Sequence, residues 1–268
     1  MTTAQRVSGF SLVELLVTLS IISLLVALLL PALHHARSST RTGACASNIR
    51  QIALANHVYA NEHRAQLCPG ASDFVANLDR WFGSRESSSD PFEPTDGPLS
   101  DALGPGGAVR RCPSFEADYD HDDTAQAFES GCGGYGYNNA FLGVTADESS
   151  DRVGVRLSAI ARPDRTIMFS DSAFAIATPG PGLIEYSFSE PPQMRGYPQY
   201  DLTPSMHFRH GDQANVAWAD TSVRALAYGS TRENSIYGLS ASQMAYYRIG
   251  WSGDDAASDL SNTLFDLE

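Results

Sequence analysis

The sequence predicts an α+β protein, a long N-terminal helix whose first half spans a membrane and whose second half packs on an antiparallel β-sheet head. Three observations predict it. Residues 10–30 form an apolar run carrying one charge, Glu14. Cys45, Ile49, Ile52, Ala53, Asn56, Tyr59 and Ala60 then fall on one helix face at three- and four-residue spacing. Beyond Gln66 the chain breaks into short strand candidates, and the last two, Gln213–Ala219 and Ser222–Ala227, alternate in period two around a tight turn.

At about 1.5 Å of rise per residue, the apolar run is roughly 31 Å long, near the thickness of a bilayer's hydrocarbon core. A carboxylate in such a run is disfavoured by roughly 2.5–3.5 kcal/mol at mid-membrane, so Glu14 asks for a partner. The run is too long for a secretory signal core, and Leu30 to Ala36 offers no small-x-small cleavage site. Pro31 cannot donate to Ala27 and predicts a kink or local melting there. The stripe carries the helix on to about Asn61, with Asn56 and His57 read as satisfied helix polars rather than ligands. Only Arg6 precedes the run, while Arg37 and Arg41 follow it, so loop charge sets no orientation.

After the helix, Glu86–Asp101 is rich in Ser, Pro and Asp and reads as a surface loop. Further strand candidates are Gly136–Leu142, Thr166–Ser170 and Leu183–Phe188, with a short helix near Ala241–Tyr247. The acidic segment Asp254–Glu268 is expected to be mobile. All 18 basic residues are arginine, and the net charge of −13 divides into +3 through Gln66 and −16 beyond it. A head that acidic argues against nucleic-acid binding, which needs basic surface to displace counterions.

Two clusters carry candidate chemistry. Asp118, Asp120, Asp122 and Glu129 stand at positions 1, 3, 5 and 12 of an EF-hand-like spacing, and hard oxygen ligands suit calcium. Asp123 occupies the position of the turn glycine and Pro113 precludes an entering helix, so a solvated acidic loop is the competing reading. No other cofactor is expected. His210, Asp220 and Asp171 could converge as a catalytic set. The competing reading has His210 bonding the hairpin backbone while Asp220 caps its turn. No Gly-x-Ser-x-Gly, Ser-x-x-Lys or His-Glu-x-x-His accompanies them, so no catalytic residue is assigned and the chain is not expected to be an enzyme.

The segment Ser8-Gly9-Phe10-Ser11-Leu12-Val13-Glu14-Leu15-Leu16-Val17 resembles the start of type IV pilins and type II secretion pseudopilins. The resemblance covers about 35 residues and gives the fold its pilin-like reading. It implies cleavage after Gly9 by prepilin peptidase, N-methylation of Phe10 by the same partner, and assembly with identical or related subunits through the N-terminal helix. Glu14 becomes the fifth mature residue, where it can meet the Phe10 amine of a neighbour and set register. Pro31 falls where many pilins carry proline. The implied location is the inner membrane, single-pass, with the head outside the cytoplasm, and then an extracytoplasmic filament.

The implied organisation is a leader (1–9), a membrane and filament-core helix (10–33), its amphipathic continuation (34–66), a β-rich head (67–250) and an acidic tail (251–268). The alternative function is a membrane-tethered extracytoplasmic binding module that never polymerises.

The body of the chain is also similar to a pilin-like family with a C-terminal His-x9-Asp-Gly element. The resemblance rests on Cys45-Ala46-Ser47-Asn48-Ile49-Arg50-Gln51, Cys112-Pro113, Tyr135-Gly136-Tyr137-Asn138, and His210 with Asp220-Thr221. Thr221 stands where that family has glycine. A β-branched residue resists positive φ, so a different hairpin turn is expected. An extracytoplasmic head makes disulfides plausible, and four cysteines permit three full pairings. Cys112–Cys132 is the expected bond, closing a loop of about 20 residues for roughly 3 kcal/mol. A helix from Cys45 to Asn61 separates its ends by roughly 24 Å, which argues against Cys45–Cys68. Cys45 then reads as a small apolar residue under the sheet.

Overall fold

The structure, a computed structural model, describes residues 12–72, 77–104, 106–107, 109–115, 130–143, 153–177, 180–194, 197–234, 236–253 and 262–268. The chain forms two compact units, Met1–Thr40 and Arg41–Glu268. A single α-helix, Leu12–Glu62, supplies most of the first unit and begins the second.

Pro31 lies inside that helix, which continues through it, so the expected local melting does not occur. Leucine and alanine flank it on both sides. Their cooperative bonding outweighs one missing donor. In the first unit the large apolar side chains from Leu12 to Leu30 are 46–76% exposed, with no face covered. The hydroxyls of Thr18, Ser20 and Ser23 donate to the carbonyls of Leu15, Leu16 and Leu19, which hides the polar atoms of this stretch.

In the second unit the same helix becomes one-sided. Cys45, Ile49, Ile52, Ala53, Ala55, Asn56 and Ala60 are buried, matching the stripe except that Ala55 joins it and Tyr59 is half-buried and stacks on His63. Asn56 Oδ1 accepts from the Cys68 amide at 2.8 Å and His57 Nε2 meets the Ala219 carbonyl at 2.8 Å, so both serve the fold. Left-handed Arg64 and Ala65 end the helix, and the Ala65 amide donates back to the Ala60 carbonyl.

The stripe packs on a four-stranded antiparallel sheet ordered Val223–Ala227, Gln213–Trp218, Ile167–Asp171, Tyr135–Tyr137. Its two faces belong to different cores. Along Gln213–Trp218, Ala217 joins the helix-side core while Ala214, Val216 and Trp218 join a second core with Phe208, Trp251 and Phe265. Along Ile167–Asp171 the alternation breaks beside the register shift at Ala217/Trp218, so that Met168 and Phe169 join the first core and Ile167 the second. Asn138 links the layers, donating to the carbonyls of Ile167 and Phe265 at 2.8 Å each and accepting from the Phe141 amide.

Several expectations are corrected. The Gly136–Leu142 candidate is a strand only through Tyr137, because Asn138 then nucleates a π-helical turn over Asn139–Gly143. Leu183–Phe188 reduces to a strand at Gly182–Ile184 and a lone bridge at Phe188. Residues 262–268 are not a mobile tail: Phe265 is buried, and the Leu264 and Asp266 carbonyls accept from Ile167 N and Thr166 Oγ1. Residues 254–261 lie outside the described residues. Thr221 does take positive φ, at 68°, as the last residue of a three-residue turn closed between Trp218 and Ser222. The two-strand ladder and the Asp220 cap impose that geometry on a residue ill suited to it.

Cys112 bonds to Cys45, with Cα atoms 4.8 Å apart, and not to Cys132. The chain after Val109 runs beside the helix, where Asn48 Nδ2 reaches the Arg110 and Arg111 carbonyls, and this brings Cys112 onto Cys45. Cys132 stays a buried thiol and donates to Glu185 Oε2, which also accepts from the Gly131 and Gly133 amides.

Non-reducing tryptic mapping should find peptide 42–50 linked to peptide 112–152, and an unlinked peptide 42–50 would refute this pairing. Cys45→Ala with Cys112→Ala should cost about 4 kcal/mol in denaturant unfolding, from release of a 67-residue closure. Thr221→Gly should raise stability by about 0.5–1 kcal/mol, measured as a shifted urea midpoint at constant slope.

Candidate functional sites

Two places carry functional potential. The first is the N-terminal segment. Gly9 and Phe10 lie outside the described residues, whereas Glu14 occupies the first helical turn and Pro31 the helix interior. The calcium candidates Asp118, Asp120, Asp122 and Glu129 also lie outside the described residues.

The second is a buried cluster at one end of the sheet. Antiparallel pairing of Ile167–Asp171 with Gln213–Trp218 puts the last residue of the first strand, Asp171, beside the turn that opens the second. Asp171 Oδ2 accepts from the Asn215 amide at 2.7 Å and from His210 Nε2 at 3.1 Å, and Oδ1 accepts from Arg209 Nη2 at 2.8 Å. His210 Nδ1 meets Thr42 Oγ1 at 3.2 Å, and its Nε2 lies 3.7 Å from Cys112 Sγ. Arg209 also donates to the carbonyls of Gly134 and Ser172 and to His207 Nδ1, and its guanidinium covers the Phe115 ring.

His210 and Asp171 therefore converge, and Asp220 does not. Asp220 lies beyond the opposite end of a six-residue strand, roughly 20 Å away, where its Oδ1 accepts from Ser222 N and Oγ. It caps the turn as the competing reading expected. His210 departs from that reading: its amide bonds the Gln213 carbonyl, but its ring bonds Asp171 and Thr42. Arg209, Thr42 and Cys45 complete the cluster and are not singled out as site residues by the sequence. The one available signal is a basic dipeptide, Arg209-His210, placed to face a strand-end acid.

Burial alone would raise the Asp171 carboxyl. The Arg209 guanidinium, the hydrogen bond and charge of His210, and the Asn215 amide outweigh it and hold the group below the usual carboxylate range. Burial, then the charge of Arg209 and of His210, keep His207 well below its ordinary value against the pull of Asp171. The Thr42–His210–Asp171 chain has the composition of a nucleophile relay. However, the His210 and Asp171 side chains are only 2% and 0% exposed, so a substrate bond has no approach to the ring.

Residues 5–30 match the family model described as the prokaryotic N-terminal methylation motif. The chain thus carries a type IV pilin-like N-terminus, the substrate signal of prepilin peptidase, on one helix long and apolar enough to cross a membrane. No curated protein and no solved structure matches it.

Asp171→Asn leaves Arg209 buried without its counter-charge and should cost roughly 3–5 kcal/mol. On acidification, thermal unfolding should shift in two stages. Below about pH 6.5 the unfolded chain protonates His207 while the folded one does not, so stability falls. Below about pH 3.8 the unfolded chain likewise protonates Asp171 first, and stability falls again. His207→Gln should remove the first stage and keep the second; an unchanged profile would refute the assignment.

Proposed function

We propose that this protein is a structural subunit of a type IV pilus or a type II secretion-like pseudopilus. The observation that carries this reading is the methylation motif at residues 5–30, leading directly into an apolar helix that no part of its own unit covers. Prepilin peptidase removes residues 1–9, and the new amine of Phe10 is methylated. In the assembled filament the helices bundle, water is excluded, and Glu14 pairs with the Phe10 ammonium of the adjoining subunit. That pairing sets the axial step between subunits, and the head decorates the outer surface.

The Cys45–Cys112 disulfide supports a head that folds in an oxidising compartment outside the cytoplasm. The inaccessibility of His210 supports a non-catalytic role for the head. Its acidic surface supports partners other than nucleic acid.

Mass spectrometry of protein recovered from membranes should show a mature chain starting at N-methyl-Phe10, whereas an intact leader in wild-type cells would overturn the reading. Glu14→Gln should still be processed but should lose filaments or secretion. Normal polymerisation of that variant would sink the pairing and favour a tethered module.

A further inference from the structure

We propose that reduction of the Cys45–Cys112 disulfide converts this region into a closed, tetrahedral zinc site whose ligands are Cys45, Cys112, His210 and Asp171. The inference stands on the head alone and does not rest on the filament reading.

One ligand atom each from Cys45, Cys112 and His210 lies within 4.8 Å of the others, and all three residues are buried. Zinc bonds of about 2.3 Å to sulfur and about 2.0–2.2 Å to nitrogen and oxygen require tetrahedral edges of about 3.6 Å for S–N and about 3.3 Å for N–O. His210 Nε2 already stands 3.7 Å from Cys112 Sγ and 3.1 Å from Asp171 Oδ2. Two edges of the polyhedron are therefore in place. Two changes remain: the sulfur–sulfur edge opens from a covalent bond to about 3.8 Å, and Asp171, which lies outside the three-residue group, must close its oxygen–sulfur edges to about 3.6 Å.

The steps balance. Both sulfurs are fully buried, so a dithiol reductant reaches the Cys45–Cys112 bond only when the head opens locally; it then delivers two electrons and two protons and itself closes to a disulfide, leaving two thiols. Zinc displaces both thiol protons to solvent. His210 passes its Nε2 proton to Nδ1, which then donates to Thr42 Oγ1, a hydroxyl able to accept as readily as it donates.

Charge also balances in both states. With the disulfide intact and the His210 ring carrying a single proton, Asp171 is neutralised by Arg209. With metal bound, two thiolates and one carboxylate face one dication and the same guanidinium, again summing to zero. A buried pocket tolerates either arrangement for that reason. The other two cysteines do not compete. Cys68 is held as a thiol by burial, and Cys132 is engaged by Glu185. Four protein ligands leave no open position, so the metal's role is structural, holding the helix to the sheet when the covalent bond is absent.

The test uses full-length protein in detergent micelles, reduced with a phosphine and titrated with cobalt(II). Reduced wild type should give a thiolate-to-cobalt charge-transfer band saturating at one equivalent and displaced by zinc. The same protein left oxidised should give none. Cys45→Ser and His210→Ala should each weaken cobalt binding about tenfold or more, while Cys68→Ser and Cys132→Ser leave it unchanged. If the reduced chain loses its near-ultraviolet circular dichroism, metal should restore it. No band in reduced wild type, failure of metal to restore a lost fold, a band insensitive to Cys45→Ser, or one abolished by Cys68→Ser would each overturn the proposal.

Discussion

The Asp171 carboxylate is fully buried at the end of a central strand, and groups from separate parts of the chain neutralise and bond it. Arg209 extends the contact to the Gly134 carbonyl, and His210 extends it to Thr42 on the long helix. A charge taken out of water costs several kcal/mol unless every lone pair is met, so the ensemble forms as a unit or not at all. This explains why the turn before Gln213 is so dense in contacts: it seats the sheet end, the Cys112 segment and the helix against one anion.

The long helix divides one secondary structure between two solvents. Up to Leu30 its side chains are apolar on every side and open, and its few hydroxyls bond their own backbone. From Cys45 on, apolar residues keep to one face and meet the sheet. The backbone barely distinguishes the two regimes. Side-chain distribution alone separates them: the first suits an apolar surrounding, and the second suits water on one side.

The helix, its buried stripe, the hairpin and the central Ile167–Asp171 strand are legible in the sequence because each follows from local periodicity. The disulfide is not. Proximity along the chain favours Cys112–Cys132, and only the path of residues 109–115 beside the helix, set by tertiary contacts at Asn48, reveals Cys45 as the partner. The docked residues 262–268 are hidden for a similar reason. Their composition is acidic and loop-like, and what holds them is a set of backbone carbonyls offered to Asn138, Thr166 and Ile167. Asp171 with His210 is half legible: the residue types suggest convergence, but strand register decides that Asp171 takes part and Asp220 does not.

The head's defining contacts reach far along the chain: 67 residues for the disulfide, 127 from Asn138 to Phe265, 162 from His57 to Ala219. A ribosome adds about 5–20 residues per second, so the helix emerges roughly 10–40 s before the segment that seals the second core. The nascent polypeptide thus carries its finished helix long before its sheet can close. Through that interval the face from Cys45 to Ala60 lacks the strands that finally cover it, and the last segment to be made is also the one that shuts the far side of the sheet.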